Sequence, residues 1–399
     1  MFVIGGASAH RAIAAITLVA ATAVPTPPAV DQGGCIPAPT STETGVPWSQ
    51  RRLGIERAWP LSRGQGVLVA VVDTGVDANV PQLRGRVLPG ADLTTTGRPR
   101  ADDDCFGHGT FVAGILGAAP AAGTGFAGVA PQVRILPIRV ARSMDDGTVL
   151  RLAAGVRVAV DSGAKVINIS ASTSVREANL VKAIEYAEER DVVVVAAAAN
   201  GAEQNRVVAY PAALPTVVAV GAIDSGGALA GFSQTGEHLG LAAPGVEVTS
   251  VGPGGPGHWQ GSGTSYAVPF VAGTAALVRA YRPGLTAAQV RARLFATADH
   301  PAAAMPDPGF GWGVVNPAAA VSTVLAEEGG AGVAVPPPPI RRPDLPPPDP
   351  IGPRLAALAA GIAVVATGVV ALLTVLLPAA NRRRWRPARS VTVEQARRP

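Results

Sequence analysis

The chain has 399 residues, a formal net charge of +5 and only 15% charged residues. Seven arginines and a single glutamate lie after residue 378, so the remainder of the chain is close to neutral. Because the basic excess is confined to the C-terminal tail, the composition argues against a nucleic-acid-binding function of the folded part.

Residues 1–23 are predicted to form a signal peptide. Arg11 precedes an apolar run over residues 12–19, and the small residues Ala21 and Ala23 fit a cleavage site. A membrane anchor is the alternative, but the apolar run is too short to cross a bilayer. The N-terminal sequence therefore predicts an exported protein.

Residues 24–47 are rich in Pro, Thr and Gly and predict an extended segment with no core of its own. The two cysteines are Cys35, in this segment, and Cys105. In an exported chain a disulfide between them is expected, with two free thiols as the alternative. Since Cys105 lies three residues before His108, the bond predicts an attached arm pinned beside that histidine; a bond that only braces a loop is the alternative.

Residues 48–325 are predicted to form one globular domain of the α/β class. Apolar, β-branched runs predict buried strands, and helical patterns separate several of them. Strands that alternate with helices favour a mostly parallel sheet with helices on both faces. The predicted strands are residues 67–72, 134–138, 166–170, 192–198 and 217–221, and the predicted helices include residues 150–161 and 176–190.

The C-terminal part predicts a single transmembrane helix behind a stiff linker. Residues 326–354 contain runs of consecutive prolines, which favour an extended linker. Residues 355–377 carry no charge, and their length spans a bilayer; a buried core helix is the alternative. Three arginines follow in the basic tail, residues 378–399. The positive-inside tendency places this tail in the cytoplasm and the globular domain outside the cell membrane.

Three motifs carry the components of an activated serine nucleophile. Asp73 ends the first apolar strand, His108 lies between two glycines before a helix, and Ser265 precedes another helix. Each motif alone is weak, because such residues are more often structural. Together, His108 can take the proton of Ser265 while Asp73 holds the imidazole in the required tautomer. The chain order Asp, His, Ser is one of the known orders of such a catalytic triad.

A fourth motif supplies a candidate donor for an oxyanion hole. The apolar residues 192–199 end at Asn200, whose amide can donate to a developing oxyanion. A turn residue before Gly201 is the alternative. The backbone N–H of Ser265, at a helix N-terminus, is the second predicted donor.

These motifs resemble those of subtilases over about residues 50–325, through DTGV, HGTFVAG, AAAAN and GTSYAVP. The signal peptide, Pro-rich linker, single C-terminal span and short tail further resemble the mycosins, the membrane-anchored subtilases of type VII secretion systems. The resemblance implies a subtilisin-like fold and a serine endopeptidase that cleaves exported proteins. It also implies secretion-system membrane components as partners, and no cofactor or metal is expected.

Two departures from the subtilase pattern fall where the family lines its first specificity pocket. Ala199 stands where glycine is common, and residues 170–173 read SAST in place of SLGG. Both changes add side-chain atoms, so they predict a preference for small side chains before the scissile bond. The predicted substrate-binding residues are Ser170, Ala171, Ser172, Ala198 and Ala199.

The other polar motifs favour no metal or phosphate site. Residues 102–104 predict a solvated acidic loop, with a calcium site as the alternative. The histidines without metal-ligand spacing are predicted to be ordinary loop residues; they are His238, His258 and His300. Residues 252–257 predict a flexible turn near the substrate cleft, because no Gly-Lys-Ser/Thr motif follows their glycines.

A structural role in a secretion membrane complex, with proteolysis secondary, is the alternative to an endopeptidase. The complete set of Asp73, His108, Ser265 and Asn200 favours retained catalysis. The predicted span and tail favour a fixed partner in the membrane, and the mycosin resemblance allows both roles.

Overall fold

The protein is described by a computed structural model over residues 35–328, apart from residues 98, 144–145 and 303–304, and over a helix at residues 351–382. The predicted signal peptide, most of the predicted linker and most of the basic tail lie outside the described residues. The chain divides into two compact units, Met1–Gly330 and Ala331–Pro399.

A seven-stranded sheet forms the centre of the first unit, and every strand is parallel to its neighbours in the order β2-β3-β1-β4-β5-β6-β7. The five predicted strands are confirmed, each within two residues of its expected ends. Strands β2 and β7 are too short to show a distinct apolar run. The strands are β1 Leu68–Asp73, β2 Ala91–Asp92, β3 Arg134–Arg139, β4 Val166–Ile169, β5 Val193–Ala197, β6 Val217–Ile223 and β7 Leu241–Pro244, with an antiparallel pair β8 Val248–Val251 and β9 His258–Gly261.

Helices cover both faces of the sheet, which confirms the predicted fold class. Val69 and Val71 of β1 face the apolar layer that contains α2 and α5, and Ala70 and Val72 face the layer that contains α3 and α4. Strands buried on both faces require this continuous apolar sequence. The helices of this unit are α1 Trp48–Leu53, α2 His108–Gly117, α3 Val149–Asp161, α4 Ala178–Glu189, α5 Thr264–Tyr281, α6 Ala287–Ala296 and α7 Pro317–Ser322.

Strand β1 lies where the chain changes direction across the sheet. It is flanked by β3 on one side and β4 on the other. Strands β2 and β3 lie on the first side of β1, and strands β4 to β7 follow one another to the other edge of the sheet. In open parallel sheets, functional residues collect beyond the carboxyl ends of strands at such a point. Asp73 is the last residue of β1, so the topology places its carboxylate there.

Residues 35–47 lie along the first unit as an extended arm. Cys35 and Cys105 form a disulfide, and the Ile36 N–H donates to the Cys105 carbonyl at 2.9 Å. Farther along, the His258 N–H donates to the Ser41 carbonyl at 2.7 Å. The arm is therefore held at both its covalent attachment and a second, strand-like contact.

His258 and residues 252–257 depart from the loop predictions. His258 begins β9 and is only 3% exposed. Its Nδ1 accepts a hydrogen bond from the Glu43 N–H at 3.1 Å, so Nε2 carries the proton and donates to Gln82 Oε1 at 3.0 Å. Burial lowers the pKa of His258, which keeps the ring neutral, although the charge of Glu43 opposes this shift. Three of the four glycines in residues 252–257 pack against the arm, and none of the four lines the cleft described below.

We expect the arm to remain attached to the mature protein and to stabilise it. The Cys35–Cys105 bond closes a loop of 70 positions, for which the chain-entropy account gives at most about 4 kcal/mol. Replacing both cysteines with serine should lower the free energy of unfolding, measured by denaturant titration without reductant. N-terminal sequencing of the wild-type protein should begin near Val24. A start near Trp48, or an unchanged free energy of unfolding, would contradict this expectation.

The second unit contains α8, Ile351–Arg382, a helix of 32 residues. Its segment Ala357–Thr374 has a mean hydropathy of 2.3, and its side chains are exposed. By length and composition, α8 is a candidate membrane span. The helix begins four residues before the predicted span and includes Pro353, which the first turn of a helix tolerates.

Candidate active site

Asp73 and His108 are joined by a buried hydrogen bond. Asp73 ends β1 and His108 begins α2, and His108 Nδ1 lies 2.7 Å from Asp73 Oδ1. The His108 side chain is 10% exposed and the Asp73 side chain 3%. Because Nδ1–H donates to the carboxylate, His108 Nε2 is the nitrogen that can accept a proton.

The pKa of His108 is raised above its ordinary value. Burial alone would disfavour the imidazolium, but the charge of Asp73, its hydrogen bond and the charge of Asp104 outweigh that cost. The imidazole is thereby suited to take a proton and to be stabilised as a cation.

Ser265 lies in the first turn of α5 and is tied to the end of β4. Its Oγ donates to the Ser170 carbonyl at 3.0 Å, and Ser170 Oγ donates to the Ser265 carbonyl at 3.0 Å. That carbonyl can accept because Pro269, four residues later in α5, has no N–H. The backbone N–H of Ser265 belongs to the first helical turn, where no intrahelical acceptor exists, so it can donate to an anion.

Asn200 follows β5, and Thr264 fixes the orientation of its amide. Asn200 Oδ1 accepts from the Thr264 N–H at 2.9 Å and from the Thr264 hydroxyl at 3.0 Å. Since the oxygen is occupied by donors, Nδ2 is the group that can donate to a molecule in the cleft. The two predicted oxyanion donors, Asn200 Nδ2 and the Ser265 N–H, therefore border the same space.

Asp73, His108, Asn200 and Ser265 all line one cleft of about 410 Å³. The predicted substrate-binding residues that also line it are Ser170, Ala171, Ser172 and Ala199. Ala198 does not: its side chain is fully buried in the apolar layer beside α3 and α4. Successive side chains along an extended segment point to opposite faces, so Ala197 and Ala199 reach the cleft instead.

One wall of the cleft is absent from the sequence-based prediction. It comes from the segment between β3 and α3, from the start of α3 and from the turn after β4. Only the apolar character of these side chains could have indicated it, and core residues share that character. The residues are Val140, Ala141, Val149, Leu152 and Val175.

Arg139, the last residue of β3, braces the loop that follows Asp73 and the loop that precedes His108. Its Nε donates to the Thr74 carbonyl at 2.7 Å, and its Nη1 donates to the Asp92 carboxylate at 2.9 Å. Its Nη2 also donates to the Asp103 carbonyl. A buried guanidinium requires a paired charge and satisfied donors, and buried Asp92 supplies the charge.

The solvated-loop prediction is wrong for Asp104, which is buried, and correct for Asp103, whose side chain is 77% exposed. Within the described ranges, no group of three or more His, Cys, Asp or Glu side chains could hold a metal ion. His300 is a surface residue whose Nδ1 donates to the Trp312 carbonyl. Burial lowers the pKa of His238, which lies outside the cleft that Asp73 and His108 line.

The sequence of this chain matches one protein family and is similar to several characterised members of it. The profile of the subtilase family, Peptidase_S8, matches residues 64–313. Mycosin-3 of Mycobacterium tuberculosis is 35% identical over 433 aligned positions, which cover 91% of this chain and 90% of mycosin-3. Thermitase of Thermoactinomyces vulgaris is 37% identical over 63% of this chain and 88% of its own length. The mycosin-3 match therefore extends beyond the share of the chain that thermitase matches.

Two solved structures show the same fold as this chain. The crystal structure of MycP1 from the ESX-1 type VII secretion system has a TM-score of 0.66 and 31% identity, and covers 76% of this chain and 94% of that protein. The structure of the MycP3 protease from the type VII (ESX-3) secretion system has a TM-score of 0.63 and 34% identity, and covers 74% and 99%.

Proposed function

This chain belongs to the mycosin group of the subtilase family of serine proteases, and from that membership we propose that it is a membrane-anchored endopeptidase that cleaves exported proteins. The proposed catalytic triad is Asp73, His108 and Ser265. The observation that carries the proposal is the 2.7 Å hydrogen bond between Asp73 and His108, at a cleft that Ser265 and Asn200 also line.

In the proposed reaction, Ser265 Oγ attacks the scissile carbonyl carbon while His108 Nε2 takes its proton. The Ser265 hydroxyl must first leave the Ser170 carbonyl, to which it donates in the resting structure. Asp73 then stabilises the imidazolium, and the oxyanion accepts hydrogen bonds from Asn200 Nδ2 and the Ser265 N–H. His108 passes the proton to the leaving amine, and water hydrolyses the acyl-enzyme by the reverse proton transfers.

We expect small side chains to be preferred at the residue before the scissile bond. The methyl group of Ala199 lines the cleft, and excluding about one methylene from such a pocket is worth about 1–3 kcal/mol of discrimination. Ala199 also has φ +79°, a left-handed conformation that glycine adopts more easily. Replacing Ala199 with glycine should therefore both relax the backbone and admit larger side chains.

Peptide-library profiling measures this preference directly. The wild-type protein should favour Ala, Ser or Gly over Phe and Tyr, and Ala199→Gly should reduce that bias. Ala141→Gly enlarges another part of the cleft and serves as the matched control, which should keep the wild-type preference. A wild-type preference for large aromatic residues would show that Ala199 does not limit the pocket.

The candidate span α8 supports a membrane location for the proposed protease. With the predicted signal peptide and the basic tail, it supports a single-pass topology with the protease domain outside and the C-terminus in the cytoplasm. A further matched structure, 31% identical with a TM-score of 0.64, is that of a serine protease MycP1, described as an essential component of the type VII (ESX-1) secretion system. By analogy, the proposed partners are secretion-system membrane components in addition to protein substrates.

A structural role in a secretion membrane complex is the second candidate function, and the description of MycP1 as an essential component favours it. Comparing a Ser265→Ala strain with a strain that lacks the whole gene separates the two roles. The endopeptidase proposal predicts that Ser265→Ala changes the N-termini of exported proteins, measured by mass spectrometry. A structural role predicts that secretion itself fails only in the deletion strain. Unchanged N-termini in the Ser265→Ala strain would overturn the endopeptidase proposal.

A further inference from the structure

Asp104 is a buried carboxylate, four residues before His108, that the proposed triad does not include. We propose that Asp104 is a positioning residue that fixes His108 against Asp73 and holds a permanent negative charge beside the imidazole. This inference rests on the proposed function of His108 as the base. It is carried by the hydrogen bonds of Asp104, which is 5% exposed.

Four hydrogen bonds converge on the Asp104 carboxylate. Oδ1 accepts from the Gly107 N–H at 2.9 Å and from the Thr74 hydroxyl at 3.0 Å. Oδ2 accepts from the Thr110 N–H at 2.8 Å and from the Thr110 hydroxyl at 2.8 Å. An ionised carboxylate offers about four acceptor positions, so all of them are filled.

The direction of the two hydroxyl bonds is fixed by neighbouring backbone groups. The Thr74 hydroxyl oxygen accepts from the Gly109 N–H at 3.0 Å, and the Thr110 hydroxyl oxygen accepts from the Asp77 N–H at 3.0 Å. Each hydroxyl therefore directs its only proton at Asp104. A protonated Asp104 would place its own O–H against one of these donors.

The charge of Asp104 follows from this donor pattern. The pKa of Asp104 is raised above its ordinary value, by burial first and also by the charge of Asp73, while the hydrogen bonds from Gly107 and Thr110 lower it. Although burial favours the neutral form, four inward-pointing donors accommodate only the ionised form. Buried carboxylates that accept several hydrogen bonds remain charged for this reason.

The same hydrogen bonds tie together the two segments that carry the Asp73–His108 pair. The N–H of Thr110 belongs to the first turn of α2, which begins at His108, and Gly107 before it has no side chain that could cap the helix. Asp104 therefore supplies the capping acceptor and the negative charge that a helix N-terminus favours. Its bond to Thr74 attaches the loop that follows Asp73 to the same carboxylate.

An Asp104→Asn substitution keeps the size and burial of the side chain but removes its charge and one of its acceptor oxygens. Whichever oxygen becomes NH₂ faces a backbone N–H, of Gly107 or of Thr110, that cannot reverse its direction. The start of α2 must then shift, and a displacement of about 1 Å at a catalytic group can lower kcat about 10²-fold. Loss of the anion also lowers the pKa of His108, because the charge of Asp104 is one of its raising causes. The rise of kcat/KM with pH should therefore move to lower pH.

The test uses the full chain purified in detergent and a peptide that the wild-type protein cleaves. For Asp104→Asn we expect kcat to fall between about 10- and 100-fold with KM nearly unchanged. The acid limb of the pH profile, where kcat/KM rises with pH, should shift to lower pH. Asp104→Glu keeps the charge and should keep the wild-type acid limb even where kcat falls. Asp102→Asn removes an equal charge from a side chain that bonds Arg100, and it should behave as the wild type.

A lower melting temperature of Asp104→Asn with an unchanged pH profile and unchanged kcat would overturn the proposal.

A second readout does not depend on peptide hydrolysis. In the Ser265→Ala background, NMR of ¹⁵N-labelled histidine follows the titration of His108 with and without Asp104→Asn. A titration that moves to lower pH supports the proposal even if the wild-type protein cleaves no peptide, in which case the proposed function fails. An unmoved titration overturns the proposal. If Asp104→Asn does not fold, Thr110→Val removes one donor and should lower kcat with KM unchanged; an unaltered kcat would count against the proposal.

Discussion

Replacing Ser265 with alanine is expected to lower kcat by about 10⁶-fold, the magnitude known for loss of the nucleophile in subtilisin. The substitution removes the hydroxyl of the first turn of α5 that faces the cleft without a bond to Asn200, since the Thr264 hydroxyl donates to Asn200 Oδ1. Without it no acyl-enzyme can form, and the remaining rate comes from water acting with the oxyanion donors. A fluorophosphonate probe, which reacts with activated serines, should label the wild-type protein at Ser265 and should not label the variant.

Two controls sharpen this prediction. Ser172→Ala removes another hydroxyl from the cleft lining and should keep probe labelling. His108→Ala should lower kcat about as much as Ser265→Ala, and the double variant should be no slower, because the residues act as one unit. Labelling that persists in Ser265→Ala would mean that the nucleophile is another residue.

Asn200→Ala is expected to lower kcat by about 10²–10³-fold, with a much smaller change in KM. Removal of one oxyanion donor in subtilisin has that effect, because the donor bonds the transition state more strongly than the substrate. The structure explains why the Asn200 amide can donate to an oxyanion. The Thr264 N–H and hydroxyl both donate to Oδ1, which leaves Nδ2 as the group that faces the cleft as a donor. The donor is therefore oriented before the oxyanion forms.

Steady-state kinetics on one peptide substrate measure this effect. Asn205→Ala changes an exposed asparagine in the same turn region and should leave kcat within about twofold of the wild type, as is usual for exposed sites. Thr264→Val keeps the backbone N–H and removes the hydroxyl, so an intermediate loss of kcat is expected. A loss of less than about threefold in Asn200→Ala would place the oxyanion away from this amide, because removing a true donor costs about 10²-fold or more.

The strands and helices at the centre of the sheet could be predicted because their signal is local. A run such as residues 67–72 is apolar at every position, which only a strand buried on both faces requires. The pairing of Cys35 with Cys105 could be predicted because two cysteines allow a single bond. Strand β2 has two residues and carries no period that a sequence could reveal.

The polar residues of the cleft could be predicted from the sequence, but most of the apolar residues that form its walls could not. Asp73, His108, Ser265 and Asn200 each lie at a junction of apolar and small residues, and the structure brings them to one cleft. Ala198 and Ala197 could not be told apart in the same way. Which of two adjacent alanines faces the cleft depends on how β5 pairs with its neighbours, and both residues are identical in sequence.

The sequence by itself determined five of the seven strands of the sheet, the chemical groups of the predicted site and the apolar C-terminal helix, since each is written in contiguous residues. Only the tertiary structure decided that Asp104 and His258 are buried and hydrogen-bonded, whereas the sequence presents them as a solvated acid and a loop histidine. Asp104 meets Thr74 across 30 positions, and His258 meets Ser41 across 217. A polar side chain is stable in the interior only when its partners arrive from elsewhere in the chain, and packing, not local sequence, brings those partners together.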